Sequence, residues 1–221
     1  GSRGGWLAIP FVFCLVCIAF LNKRNLKQTA LNILILFIAL ATLFSVLSDE
    51  IKYRYELAVT EVSQFAETGQ SNTSIGARLA AWEIAINGIQ EKPILGWSIK
   101  DYDARLKKLA KENRVDVFVS ELANTHNNYV EVWLHQGVLG LLALLVLFIY
   151  PFWSFCKRLR TDNIHVKICA VAGASLVASF AIFSLTQVIL GRNNGIVFFL
   201  LTLIIFWGTM RNAENQAKVQ Q

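Results

Sequence analysis

Charge is scarce in this chain of 221 residues: Asp, Glu, Lys and Arg make up 16%, against 55% hydrophobic residues. Soluble domains carry about a quarter charged residues, so composition excludes an ordinary soluble fold. Histidine is rarer still, and no pair of the three histidines stands with carboxylates at metal-ligand spacing, so no metal site is expected. There are four cysteines. Cys14 and Cys17 form a Cys-x-x-Cys inside an apolar run, where they read as small helix-face residues. None lies in the long polar segment, which excludes a disulfide framework there. Apolar–polar alternation is missing as well, which excludes a β-barrel.

What the chain has is long apolar runs. Residues 6–21, 29–47, 137–153, 168–190 and 195–210 contain no charge, and each run is 16 to 23 residues long. A helix needs about 20 residues to cross about 30 Å of hydrocarbon. Five transmembrane helices are therefore expected, the shorter ones aided by tilt. The first run follows only five residues, without an initiator Met, and Asn22-Lys23-Arg24 comes after it rather than before. That is the reverse of a signal peptide. The chain is expected to be the C-terminal part of a larger membrane protein.

Charge asymmetry sets the topology. Lys23, Arg24 and Lys27 follow the first run, Lys157, Arg158, Arg160 and Lys167 the third, and Arg211 and Lys218 the fifth. Alternating spans put all three sets on one side, and short basic loops are cytoplasmic. Residues 48–136 then lie outside, with 10 Lys/Arg against 13 Asp/Glu. The formal charge of +6 thus reflects membrane orientation, and no nucleic-acid partner is expected. The organisation expected is an all-α polytopic membrane fold: two transmembrane helices in 1–47, a helical loop domain in 48–136, three transmembrane helices in 137–210 and a cytoplasmic tail in 211–221.

Within the loop, Ile51, Tyr55, Ala58, Val62 and Phe65 recur at helical spacing, as do Leu79, Trp82, Ile86 and Ile89 before Pro93. Residues 101–113 are a third, highly charged helical candidate. The polar stretch 70–74 is placed to cap the second helix. No strand is expected.

His126 heads the chemical candidates. It reads either as a loop histidine bonded to a carbonyl or as a proton acceptor near neutral pH. Asn124, Asn127 and Asn128 surround it, and Gly137 and Gly140 follow, small enough to admit a neighbouring helix closely. If residues 127–150 form one helix, His126 lies about 16 Å above Gly137. His135 lacks such a polar cluster, and His165 falls on the cytoplasmic side. Arg78 opens the second loop helix, one turn before Trp82. It is either a solvated arginine or an anion binder at a helix start, where free N–H groups favour negative charge. Arg3 marks the outer end of the first span and, like Arg192, breaks the positive-inside trend. It is an interface anchor or a functional cation. Lys107, Lys108, Lys111 and Arg114 form either a solvated helix face or a patch for an anionic lipid headgroup.

At these residues the chain resembles the O-antigen ligase and O-antigen polymerase family of bacterial inner-membrane glycosyltransferases. The family's His-Asn, nine residues, Gly-x-x-Gly pattern is matched by His126-Asn127 and Gly137-Val138-Leu139-Gly140. Its Arg-x-x-x-Trp helix and following Pro-x-x-Gly are matched by Arg78-Leu79-Ala80-Ala81-Trp82 and Pro93-Ile94-Leu95-Gly96. Its Ser-Arg-Gly is matched by Ser2-Arg3-Gly4. Family members usually have ten to twelve spans, so the resemblance implies that further transmembrane helices complete the substrate cavity. It also implies a GT-C-like fold, a multi-pass inner-membrane location with a periplasmic active face, and an undecaprenyl diphosphate-linked glycan as donor. Lipid A–core oligosaccharide is the implied acceptor for a ligase. The implied reaction inverts the anomeric carbon and needs no metal or other cofactor. Arg3 and Arg78 would clamp the diphosphate, and His126 would orient the acceptor hydroxyl and take its proton. Asn127, Trp82, Lys107 and Lys108 would contact substrate. A polymerase or a protein O-oligosaccharyltransferase would use the same donor with another acceptor. A transporter or a non-catalytic membrane subunit is the reading from a different class. Transporters place ionisable residues within spans, and these spans contain none.

Overall fold

The computed structural model describes residues 5–20, 26–46, 48–69 and 71–219. Arg3, Lys23 and Arg24 lie outside the described residues. The regular structure is helical throughout these residues, with no strand among them. In chain order the helices are α1 (Gly5–Phe20), α2 (Leu26–Val46), α3 (Ser48–Thr68), α4 (Ser74–Glu91), α5 (Ile99–Lys111), α6 (Val117–Ser120), α7 (Asn128–Cys156), α8 (Ile164–Phe183) and α9 (Asn193–Val219). Among the described residues three of them, α7, α8 and α9, are long and apolar enough to cross a membrane. The apolar part of α1 is shorter, at Leu7–Phe20. The chain is therefore an all-helical membrane protein, with three helices of spanning length among the described residues.

Helix ends follow local chemistry more closely than apolar composition. Asn163 starts α8, its side-chain oxygen accepting from the N–H groups of His165 and Val166 at 3.0 and 3.2 Å. Although apolar residues continue to Leu190, α8 ends at Phe183. The N–H groups of Leu185 and Thr186 bond three residues back, to Ile182 and Phe183, which tightens the chain out of the α-helix. In contrast, α9 continues past Met210 to Val219, through what reads as a polar tail. Glu214 on this extension pairs with Arg158 and with Arg211, giving the tail a reason to stay helical.

The chain divides into two compact units. One contains α1, residues 126–129, and residues 141–221 with the rest of α7, α8 and α9. Its interior is aromatic and small: Phe155, Phe199, Val177, Ala170 and Ala174 are fully buried. Gly173 of α8 makes room for α7, because a β-carbon there would come within 2.3 Å of the Phe155 ring. Leu142, Val146 and Ile149 of α7 and Leu201, Ile204 and Ile205 of α9 face outward, as lipid-facing helices require.

The other unit comprises residues 27–125 and 130–140. Its three expected loop helices form as α3, α4 and α5. Thr73 caps α4, accepting from the Gly76 N–H at 3.0 Å. Buried Glu61 of α3 accepts from the Ile75 N–H at 2.8 Å, satisfying a second orphan donor of the same helix end. Ala85, Ile89, Tyr102 and Leu134 form the core, with Trp97, Leu106, Val130 and Trp133 packed around them.

α7 is not one continuous helix. Gly137 breaks it with φ 65° and ψ −168°. The backbone of the Pro93–Gly96 turn fills the break: the Val138 N–H donates to the Pro93 carbonyl at 3.0 Å, and the Trp97 N–H to the Leu134 carbonyl at 2.7 Å. A β-carbon on Gly137 would sit 1.8 Å from the Ile94 oxygen. The expectation that Gly137 admits a helix is therefore corrected, because what it admits is a loop.

Candidate functional site

His126 stands just ahead of α7 with φ 54°, in the left-handed region. That conformation costs a residue with a β-carbon roughly 1–2 kcal/mol, so the surroundings must hold it. On its C-terminal side the chain is tied down at once. Asn127 accepts the Tyr129 N–H through its side-chain oxygen at 3.0 Å. The Asn128 N–H donates to the Ser184 carbonyl at 2.7 Å, and the Tyr129 hydroxyl to the Ala181 carbonyl at 2.8 Å. Both carbonyls lie at the end of α8, so the start of α7 is pinned to that end by backbone and side chain together. The Asn128 side chain is buried, and neither of its polar atoms finds a partner among the described residues.

In the other unit, α4 presents Arg78 and, one turn on, Trp82. Arg78 is half-buried and makes no ion pair among the described residues. The Trp82 indole N–H donates to the carbonyl of buried Thr125 at 2.7 Å, so the Arg-x-x-x-Trp helix holds the residue that precedes His126 in the chain. Thr125 is held from its other side too, its N–H donating to Glu131 at 2.9 Å.

Glu131, which its residue type alone does not single out, and His135, set aside on sequence for want of a polar cluster, belong to this group. The second carboxylate oxygen of Glu131 lies 3.6 Å from Nε2 of His135. The His135 Nδ1 lies 3.0 Å from the Trp97 carbonyl, and a carbonyl only accepts, so Nδ1 carries the proton. The Tyr102 ring meets His135 edge-on at 5.6 Å. Burial pushes the Tyr102 hydroxyl up to about 12, with Glu131 and Glu91 adding to the rise and Arg105 opposing it. Glu131 and His135 are four residues apart on a helix, the spacing at which side chains meet, so the pair was readable from sequence.

These groups line a cleft of about 920 Å³, with Asn124, Thr125, Tyr102, Glu131 and His135 on its walls and Lys100, Lys107 and Lys111 at the charged side. Lys107 bonds Asp103 at 2.7 Å across one turn of α5. Lys108 lies 4.0 Å from Glu112 and is more exposed. Among the described residues no three His, Cys, Asp or Glu side chains come together as a metal site would require.

Comparison with known proteins adds to this geometry. The family model described as O-antigen ligase matches residues 1–145. An uncharacterized protein of Haemophilus influenzae is 30% identical over 206 residues, covering 93% of this chain and 52% of that protein. A protein of Escherichia coli named O-antigen ligase is 26% identical over 181 residues, covering 79% of this chain and 42% of that protein. The chain spans about half the length of the curated relatives it matches.

Proposed function

The chain belongs to the O-antigen ligase family, and from that premise we propose that it serves glycan transfer from undecaprenyl diphosphate to lipid A–core oligosaccharide, at the periplasmic face of the bacterial inner membrane. The observation that carries this reading is the bond from Trp82 to the Thr125 carbonyl, which joins the arginine-bearing helix to the residue before a strained His126. Strained backbone of this kind clusters at active sites.

In the proposed reaction the acceptor hydroxyl oxygen attacks the anomeric carbon of the donor sugar. The bond from that carbon to the diphosphate breaks, and the configuration inverts. His126 takes the hydroxyl proton, and the lipid diphosphate leaves with the electron pair. Negative charge grows on the leaving group, so fixed cations stabilise the transition state more than the bound donor. Arg78 supplies one such cation, and Arg3 is assigned the same role. Arginine suits it because its planar fork meets two phosphate oxygens at once. Asn127 and Trp82 are assigned to substrate contact. Lys107 and Lys108 are assigned to the phosphates of the acceptor.

The test is complementation of a cell that lacks this enzyme, read as ligated lipopolysaccharide on a gel. Arg78→Ala is expected to abolish ligation with the protein still present in the membrane. Arg78→Lys is expected to restore only part of it, because a point charge cannot replace the fork. Normal ligation in Arg78→Ala would overturn the assignment.

A further inference from the structure

Three aliphatic side chains stand outward at the Pro93–Gly96 turn and just beyond it: Ile94 is 62% exposed, Leu95 80% and Ile99 76%. Their exposure is fixed by backbone contacts rather than by a loose loop. The Pro93 carbonyl accepts from the Val138 N–H at 3.0 Å and from the Trp133 indole at 3.3 Å, while the Trp97 N–H is held by Leu134. The Ile94 carbonyl occupies the place where any residue but glycine at position 137 would carry a β-carbon. The turn therefore cannot fold Ile94 and Leu95 inward without leaving the break in α7 unfilled.

The place of attachment says what these side chains meet. The turn is bonded to α7 at Gly137–Val138, where the uncharged apolar part of a helix long enough to cross a membrane begins. Leu139, two residues past the break, is also exposed. The aliphatic tip thus lies beside Gly137 and Val138, the first residues of that uncharged apolar stretch. Lys92 and Lys100 bracket the segment, and the Lys92 ammonium lies 3.8 Å over the Trp97 ring. Lysines beside an apolar tip, one of them stacked on an indole, are the composition of a membrane–water interface.

We infer that the Pro93–Gly96 turn is a lipid-inserting wedge: Ile94, Leu95 and Ile99 sit among acyl chains, and Lys92 and Lys100 lie at the level of the lipid phosphates. The wedge anchors the segment that carries α4 and α5 to the bilayer, independently of which glycan the protein handles.

The experiment places nitroxide labels by Leu95→Cys and Ile99→Cys in a protein carrying Cys14→Ala, Cys17→Ala, Cys156→Ala and Cys169→Ala. The protein is reconstituted in vesicles of phosphatidylethanolamine and phosphatidylglycerol. Val146→Cys, on the outward face of α7, is the lipid reference, and Glu112→Cys, on an exposed helix end, is the aqueous one. At Leu95 and Ile99, collisions with dissolved oxygen are expected to exceed those with a water-soluble nickel chelate, as at Val146. Two results would overturn the wedge. Nickel collisions exceeding oxygen, as at Glu112, would place the tip in water. Low collision rates with both reagents would mean that protein covers it.

Discussion

The backbone N–H of Val138 donates to the carbonyl of Pro93 across 3.0 Å, joining two short motifs that lie more than forty residues apart. The Pro-x-x-Gly and Gly-x-x-Gly patterns are therefore two halves of one joint. Gly137 opens the helix, Gly96 lets the turn come close to the Leu134 carbonyl, and the loop backbone takes up the freed hydrogen-bonding groups. The joint sets where the polar first part of α7, carrying Glu131 and His135, gives way to its apolar part.

Gly137→Ala is expected to be among the most damaging single substitutions in the chain. It forces a left-handed φ on alanine, costing roughly 1–2 kcal/mol, and drives a methyl into the Ile94 carbonyl, costing about 1–3 kcal/mol more. Gly208→Ala is the counterpart: a β-carbon there meets nothing within 4 Å. In an ordinary helix that change gains up to about 1 kcal/mol. Thermal unfolding in detergent compares the two, and equal midpoints would refute the joint.

Glu131 links Thr125 to His135, so its removal has two costs. Glu131→Ala removes the carboxylate that accepts from the N–H of buried Thr125, at about 1–3 kcal/mol. Glu131→Gln keeps an acceptor for the Thr125 N–H and is expected to lose clearly less. Chemical unfolding of both variants checks the order. A glutamine variant as unstable as the alanine one would show that charge opposite His135, rather than the Thr125 bond, is what matters.

Tyr102 gives an alkaline signature. Its hydroxyl is held near 12 in the fold, above its ordinary value of 10, chiefly by burial. The fold therefore binds this proton more tightly than the unfolded chain does. The resulting stability is complete below pH 10 and is lost as the pH rises toward about 12. Stability measured across that window is expected to fall less steeply in Tyr102→Phe than in the parent. Parallel curves would contradict the burial seen here.

Much of this architecture is legible in the sequence, and the parts that are not have physical causes. The amphipathic spacing of Ile51 to Phe65 and of Leu79 to Ile89 gives α3 and α4, and the polar residues at 70–74 include the Thr73 cap. Apolarity alone runs on to Leu190, whereas α8 stops at Phe183, because composition carries no information on where i→i+4 bonding ends. The joint at Gly137 is a backbone-to-backbone contact, so its only trace in the sequence is the glycines, and those fit a helix contact equally well. His126 and Asn127 are conspicuous by residue type. The Glu131–His135 pair follows helical spacing, whereas the roles of Thr125 and His135 depend on contacts with Trp82 and Trp97, about forty positions away, which spacing along one helix does not reveal.

The most direct test of His126 is the transfer reaction itself, with purified lipid-linked donor and lipid A–core acceptor in vesicles. A group that takes the acceptor proton in the transition state contributes about 10²–10⁴-fold to the rate. His126→Ala is expected to lose that factor in kcat while remaining folded and inserted. An unchanged rate in His126→Ala would contradict the assignment of His126 as the residue that serves the acceptor hydroxyl.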